Sequence, residues 1–350
     1  MVTELVYHEE FARHEMSPGH PESPERLRSA MRAIKRTGLI DEGKLHLYEP
    51  SLGSLDQIYR LHDRSYIEGI RQKSERGGGV YTLDTSVNSH SYQAALLAAA
   101  GGVQAVDRVM NREAENAFVL CRPPGHHAEH SRAFGFCFIN NIAVAASHLV
   151  DDLGLNRVMI VDYDAHHGNG TQNAFYESDR VLYVGLHQDG RTLFPGSGFA
   201  NEIGEEKGEG YNVNLAMYPG AGNVSYEMAF SRIIEPLASS FRPEFVLVSI
   251  GYDGHFSDPL TSLGLTSAGF SMMNSKIVKI GRSYAGGRMV CFLEGGYNLD
   301  AMAMGAQNLV QQLCETEPSV FQDFHTESDI SLSHTESLVK YLEDTIPLLR

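Results

Sequence analysis

What the chain has little of narrows its class first. It carries four cysteines in 350 residues, Cys121, Cys137, Cys291 and Cys314, and none forms a CxxC pair. That argues against a disulfide framework and a structural zinc knuckle, and it fits a reducing compartment. Basic residues are scarce too: 28 Lys and Arg stand against 44 Asp and Glu, a formal charge of −16. A nucleic-acid binder needs a basic footprint, so that class is set aside. An acidic total is compatible with a cationic substrate but is common among soluble enzymes. No stretch reaches the ~18 consecutive apolar residues of a membrane helix. The N-terminal MVTELVYHEE has no basic start, apolar core or cleavage signature, so a cytoplasmic protein is expected rather than a secreted one. Repeats and low-complexity tracts are missing as well. What remains, 42% hydrophobic and 21% charged, is ordinary globular composition. A chain this long buries about three quarters of its unfolded surface and needs no staples.

Short apolar runs alternate with segments of helical period. Strands are expected at Leu5–Tyr7, Ala117–Cys121, Val158–Val161, Val181–Gly185, Phe245–Ile250 and Met289–Leu293. They are continuous and rich in Val and Ile, as strands covered on both faces should be. Helices are expected at Ser91–Met110, Ile139–Leu153, Ser225–Ser239, Ser267–Ser283 and Leu299–Cys314. The alternation predicts an α/β fold, a parallel sheet with helices on both faces. One catalytic domain over residues 1–315 suffices. Residues 316–350 read as a C-terminal extension with a short helix around Thr335–Leu342.

Ligands of such sheets sit beyond the carboxyl ends of the strands. Four polar clusters follow expected strands: RPPGHHAEH, DYDAHHGNG, GYDGHFSDP and EGGYNL. They should meet on one rim. Asp164 and His166 lie two apart just past a strand, where alternate residues point the same way. Asp253 follows another strand. Three protein ligands with open positions describe a catalytic cation site, and two carboxylates balance a divalent charge. His126 and His127 follow a Pro-Pro-Gly turn and can present two imidazoles to that site. Amide hydrolysis needs such groups, one to take a proton from water and one to protonate the leaving amine.

RPPGHHA, GFCFINN, DYDAHHGNGTQ, SIGYDGHFSDP and EGGYNL, in that order, closely resemble the histone deacetylase superfamily. The likeness runs from about Val6 to Cys314. HHGNGTQ and HPESPERL look more like its class II and bacterial deacetylase-like branches. The resemblance implies the three-layer αβα arginase/deacetylase fold. It also implies an enzyme, a metal-dependent amide hydrolase acting on an acylated lysine or a small acylated amine; the charge and the lack of long apolar runs set out above lead to the expectation of no nucleic acid or membrane partner. Zinc is the implied ion at Asp164, His166 and Asp253, although ferrous iron accepts similar ligands. His127 matches the general base and acid, and His126 its electrostatic neighbour. Asp162 matches the partner of His126, and Asn169 that of His127. A carboxylate partner favours imidazolium more than an amide does, so His126 is expected charged and His127 neutral. Tyr297 matches the tyrosine that polarises the carbonyl, with Gly295 in its approach. Phe136 and Phe194 match the tunnel walls, and Asp84 a rim aspartate that grips substrate backbone.

Departures bear on the details. Ureohydrolases of the arginase type share the fold and hold two manganese ions. They need carboxylates where this chain has Gly168 and His255, so a single ion is expected. A structural potassium near Asp162 and Leu186 usually draws on a serine, but position 185 is glycine. A second potassium would take backbone carbonyls of Phe175, Ser178, Val181 and Tyr211. Polyamine-specific members place a glutamate at the rim where this chain has Leu260, which weakens an acetylpolyamine substrate. Branches that only bind acyl-lysine replace the tyrosine, which is intact here. His14, His20, His148 and His187 are expected to be structural or surface residues. The oligomeric state is not legible.

Overall fold

Eight parallel strands form the central sheet, in the order β2-β1-β5-β10-β9-β6-β7-β8. The computed structural model describes residues 2–350. Its strands are β1 (Thr3–Val6), β2 (Leu45–Tyr48), β3 (Gly78–Thr82), β4 (Thr85–Asn88), β5 (Asn116–Val119), β6 (Val158–Asp162), β7 (Val181–Gln188), β8 (Asn212–Met217), β9 (Phe245–Ile250) and β10 (Met289–Leu293). Strands β3 and β4 form a separate antiparallel hairpin. The six apolar runs all become sheet strands, and all six are buried along their length. Their ends shift: Tyr7, Leu120 and Cys121 lie past the strand ends, and β7 continues to Gln188.

Two sheet strands carry no continuous apolar run. Strand β2 is an edge with only Leu45 buried, so its sequence LHLY has one face in water. Strand β8 is fully buried but reads NVNLAM. The Nδ2 groups of Asn212 and Asn214 donate to Gln172 Oε1 at 3.0 and 2.8 Å, which makes polar side chains tolerable there.

The helices are α1 (Pro24–Arg36), α2 (Leu55–Tyr59), α3 (Arg64–Glu75), α4 (Ser91–Met110), α5 (Asn141–Ser147), α6 (Asn169–Phe175), α7 (Asn223–Ala229), α8 (Glu235–Phe241), α9 (Ser267–Ala285), α10 (Leu299–Leu313) and α11 (Asp329–Thr345). Helix α4 has the expected bounds. The expected helix Ile139–Leu153 starts later, where the Asn140 side chain accepts from Ala143 N, and it ends in a π turn at His148–Asp152. A second π turn, Phe230–Ile234, joins α7 to α8 just before Pro236. Proline lacks an N–H and crowds the preceding turn, a common cause of such a local widening.

The C-terminal helix is longer than expected, Asp329–Thr345 rather than Thr335–Leu342. Leu338, Val339 and Leu342 are buried in the same apolar core as the sheet. The segment leading to it is tied down by carboxylates. Asp323 accepts from Ser267 N at 3.1 Å, and Glu327 accepts from Ser225 N at 3.2 Å. No helix among the described residues is long and apolar enough to cross a membrane.

Candidate active site

Four neighbouring strands, β5, β10, β9 and β6, deliver the polar clusters. Parallel pairing puts their carboxyl ends on one edge. His126 and His127 follow β5, Glu294 to Tyr297 follow β10, Asp253 follows β9, and Asp164 and His166 follow β6. Asp164, His166 and Asp253 each turn one ligand atom inward, and these atoms lie within 4.8 Å of one another. His166 Nδ1 is 2.8 Å from Asp253 Oδ2 and 3.2 Å from Asp164 Oδ1. Both carboxylates are buried. Burial raises the pKa of Asp253 to about 7, helped by the charge of Asp164. Burial opposes charge on His166 as well, but the two carboxylates overcome it and push its pKa up to about 10. Two acids in a dry pocket thus call for positive charge between them, and one imidazole with two carboxylates is a donor set that suits a divalent cation. A second ion is not provided for. A Cβ at Gly168 would lie 2.3 Å from Asp162 Oδ2, leaving no room for an acid. Both ring nitrogens of His255 are engaged elsewhere, with Ser257 Oγ and Asp323 Oδ2 at 2.8 Å each.

The two histidines differ in partner. His126 Nδ1 is 3.0 Å from Asp162 Oδ2, and His127 Nδ1 is 2.8 Å from Asn169 Oδ1. Burial acts against charge on both. On His126 it is outweighed by Asp162 and Asp164, and the pKa rises to about 10. On His127 it prevails and is reinforced by His126 and His166, so the pKa falls well below the usual histidine value. Glu294, which sequence reasoning passed over, accepts from Gly125 N at 2.7 Å and His126 N at 3.2 Å. It fixes the turn that carries both rings.

A cleft of about 460 Å³ leads to His127 and His166. Phe136, Phe194, Tyr297, Asp84 and Leu260 all line it. Phe194 stands edge-on to His127 at 5.2 Å between ring centroids, and Phe136 edge-on to Tyr297 at 5.8 Å. Asp84 is exposed at the tip of the β3–β4 hairpin, and its carboxylate accepts from Thr82 and Thr85 hydroxyls at 2.5 and 3.1 Å. Burial raises the Tyr297 pKa well above that of a free phenol, and Asp253 adds to it. His20, expected as a structural or surface residue, is half-buried and lines the cleft, edge-on to Phe136 at 4.7 Å, with Nε2 3.1 Å from the Asp84 carbonyl. Leu83, exposed at the hairpin tip, and the half-buried Leu193 were also passed over, because single leucines carry no sequence signal.

Gly135 shapes the cleft by having no side chain. A Cβ there would sit 2.4 Å from His127 Cδ2 and 3.0 Å from Phe194 Cε1, and its φ is +52°. Gly135→Ala should displace the His127 ring. With His127 as the base proposed below, a displacement of about 1 Å costs ~10²-fold in rate, so turnover should drop by about that factor. Steady-state kinetics beside an unfolding curve would check it.

Other expected site residues lie outside the cleft. Gly295 gives its N–H to Asp164 Oδ2 at 2.7 Å. Leu186 is buried within β7. A Cβ at Gly185 would be 2.9 Å from the Tyr183 hydroxyl and 3.1 Å from His187 Nδ1, two buried atoms without hydrogen-bond partners among the described residues. Phe175 O accepts from Ser178 N at 3.0 Å, and Tyr211 O from Tyr183 N at 2.9 Å, each keeping a lone pair free. Val181 opens β7.

With the fold and this geometry in view, residues 20–313 match the histone deacetylase domain. The chain belongs to the histone deacetylase family. A probable deacetylase of Archaeoglobus fulgidus is 42% identical over 300 residues, 86% of this chain and 82% of that protein. A histone deacetylase-like amidohydrolase of Pseudomonas aeruginosa is 40% identical over 80% of this chain and 73% of its own length. The solved HD domain of HDA15 superposes with a TM-score of 0.90 at 33% identity, covering 99% of this chain and 96% of that one. This histone deacetylase family member is thus a hydrolytic deacetylase on the arginase/deacetylase fold.

Behind the tyrosine loop of this family member lies a buried charge cluster that its sequence did not announce. Arg26 donates from Nε to Gly296 O at 2.7 Å and from Nη2 to Glu294 O at 2.6 Å, and its guanidinium lies 5.1 Å from the Tyr297 ring centre. Glu22 accepts from both Arg26 and Arg122, and all three are fully buried. Asp258 Oδ2 accepts from Tyr297 N at 2.7 Å from the other side.

Proposed function

We propose that the chain hydrolyses N-acyl lysine side chains, acetyl-lysine foremost, with a single zinc ion held by Asp164, His166 and Asp253. The carrying observation is the meeting of these three side chains with His127 and Tyr297 at the inner end of one aromatic-walled cleft. When bound, the cation acidifies a water and polarises the acyl carbonyl. His127, held neutral by burial and by the charged His126 beside it, takes the proton of the attacking water. His126 stays charged against Asp162 and stabilises the negative charge that develops. The Tyr297 hydroxyl, kept protonated by burial, donates to the carbonyl oxygen as it becomes an oxyanion. The departing amine then receives its proton from a histidine. Phe136 and Phe194 sheathe the lysine methylenes, and Asp84 holds the substrate backbone.

The rim favours acyl-lysine in a peptide over a free acylated polyamine. Leu83, Phe194 and Leu260 are exposed around the mouth, and Asp84 is the acid among the lining residues. A polycation would gain little there, whereas apolar flanks of a peptide can cover these side chains. The same reading extends to potassium. Carbonyls of Phe175, Ser178, Val181 and Tyr211 form one site, and Gly185 leaves the other, at Asp162 and Leu186, one hydroxyl short.

Metal analysis with an acyl-lysine substrate panel tests the proposal. One zinc per chain is expected, with turnover of an acetyl-lysine peptide lost on chelation and regained on adding zinc. The peptide should be preferred to acetylputrescine by at least about tenfold in kcat/KM, the worth of one modest contact. Activity indifferent to chelation would refute the cation, and a preference for acetylputrescine would refute the substrate class.

A further inference from the structure

Asn169 faces His127 on one side and a glutamate on the other. Its Oδ1 is 2.8 Å from His127 Nδ1, and its Nδ2 is 2.8 Å from Glu129 Oε1. Asn169 and His127 are buried, while the Glu129 side chain is 28% exposed, so one buried amide links a partly wet carboxylate to the imidazole. We propose that Glu129 is a positioning residue that orients the Asn169 amide and thereby fixes His127 in the tautomer with its proton on Nδ1.

The argument needs only the chemistry of donors and acceptors. A carboxylate accepts and cannot donate, whereas an amide has one accepting end and one donating end. The end of Asn169 that meets Glu129 must therefore be its NH2, and the end that meets His127 must be its carbonyl. A carbonyl can only accept, so Nδ1 of His127 must carry a hydrogen. A neutral imidazole has just one such hydrogen, which leaves Nε2 bare. This rests on the reading of His127 as the base, for which a bare Nε2 is the working state. Without an acceptor at position 129 the amide can turn over. Its NH2 would then face Nδ1 and favour the tautomer protonated on Nε2, which cannot take a proton there.

Glu129 is itself held in place. Its N–H donates to Arg132 O at 3.0 Å, and its carbonyl lies 2.9 Å from His62 Nδ1. Asn173 Nδ2 approaches the same carboxylate oxygen at 3.4 Å. Arg132 Nη1 stands 4.0 Å from the other oxygen without competing for the amide. In sequence the residue lies two positions past the base, in HHAEH.

The test begins with the unaltered protein, loaded with zinc and labelled with ¹⁵N-histidine. The His127 signal, identified by its loss in His127→Phe, should report a protonated Nδ1 and a bare Nε2; the opposite tautomer overturns the proposal. Glu129→Gln keeps an accepting oxygen and should retain the tautomer and most of the turnover of an acetyl-lysine peptide. Glu129→Lys places a donor opposite the amide. It should move the proton to Nε2 and lower kcat about 100-fold, the low end of what a general base contributes, with KM little changed. In Glu129→Lys with Asn169→Asp, an aspartate accepts from both neighbours. The tautomer and at least a tenth of the native kcat should return. A double variant no better than Glu129→Lys overturns the coupling. If Glu129→Lys moves the proton and turnover stays, the orientation holds and the base assignment fails instead.

Discussion

Replacing Tyr297 by phenylalanine should lower turnover of an acetyl-lysine peptide by ~10²–10³-fold, the measured range for loss of one oxyanion donor. The ring is held by contacts that the substitution leaves alone. Phe136 stands edge-on to it at 5.8 Å, and the Arg26 guanidinium lies 5.1 Å from its centre. The backbone is pinned as well, since Tyr297 N donates to Asp258 Oδ2 at 2.7 Å. No side-chain hydrogen bond of the hydroxyl exists for the fold to lose among the described residues. The variant should therefore unfold at the native denaturant concentration and bind zinc as before, with the whole effect in kcat. KM should change little, because the missing bond matters most when negative charge builds on the carbonyl oxygen. Turnover equal to the native protein's would refute the role of Tyr297.

The fold was legible where the sheet is dry on both sides. Strands β6, β9 and β10 are continuous apolar runs because neighbours and helices cover both faces, and they were read with nearly the observed bounds. Strand β8 escaped because its inward asparagines serve a hydrogen-bond network with Gln172, which no hydrophobic pattern records. Strand β2 escaped as an edge with a single buried residue. The convergence of Asp164, His166 and Asp253 followed from strand ends alone, since the strands that carry them, β6 and β9, are neighbours in the sheet. What surrounds that convergence was not legible. Glu22 and Arg26 lie in α1 and the segment before it, far along the chain from Gly296, and nothing in their own neighbourhood points to the tyrosine loop. His20 had no signal of its own, because its place at the mouth depends on a hairpin tip 64 residues away.

The buried cluster should give the largest stability effect. Glu22→Ala removes the carboxylate that neutralises Arg26 and Arg122, both fully buried. Stranding a buried charge costs about 3–5 kcal/mol. Chemical unfolding should show that loss, and turnover should fall with it, because Arg26 would no longer be held against the Gly296 and Glu294 carbonyls. The pH dependence has a definite sign. Burial alone would raise the Glu22 pKa, but Arg122 and then Arg26 outweigh it and bring it from 4.5 to about 2. The unfolded chain therefore takes up this proton before the folded one does. The stabilisation is whole above pH 4.5, about 3 kcal/mol by linkage, and is lost as pH falls from there through about 2. Glu22→Gln cannot titrate, so the stability gap between it and the native protein should close over that window. A gap that stayed constant between neutral pH and pH 3 would show that the Glu22 charge does not hold the two arginines.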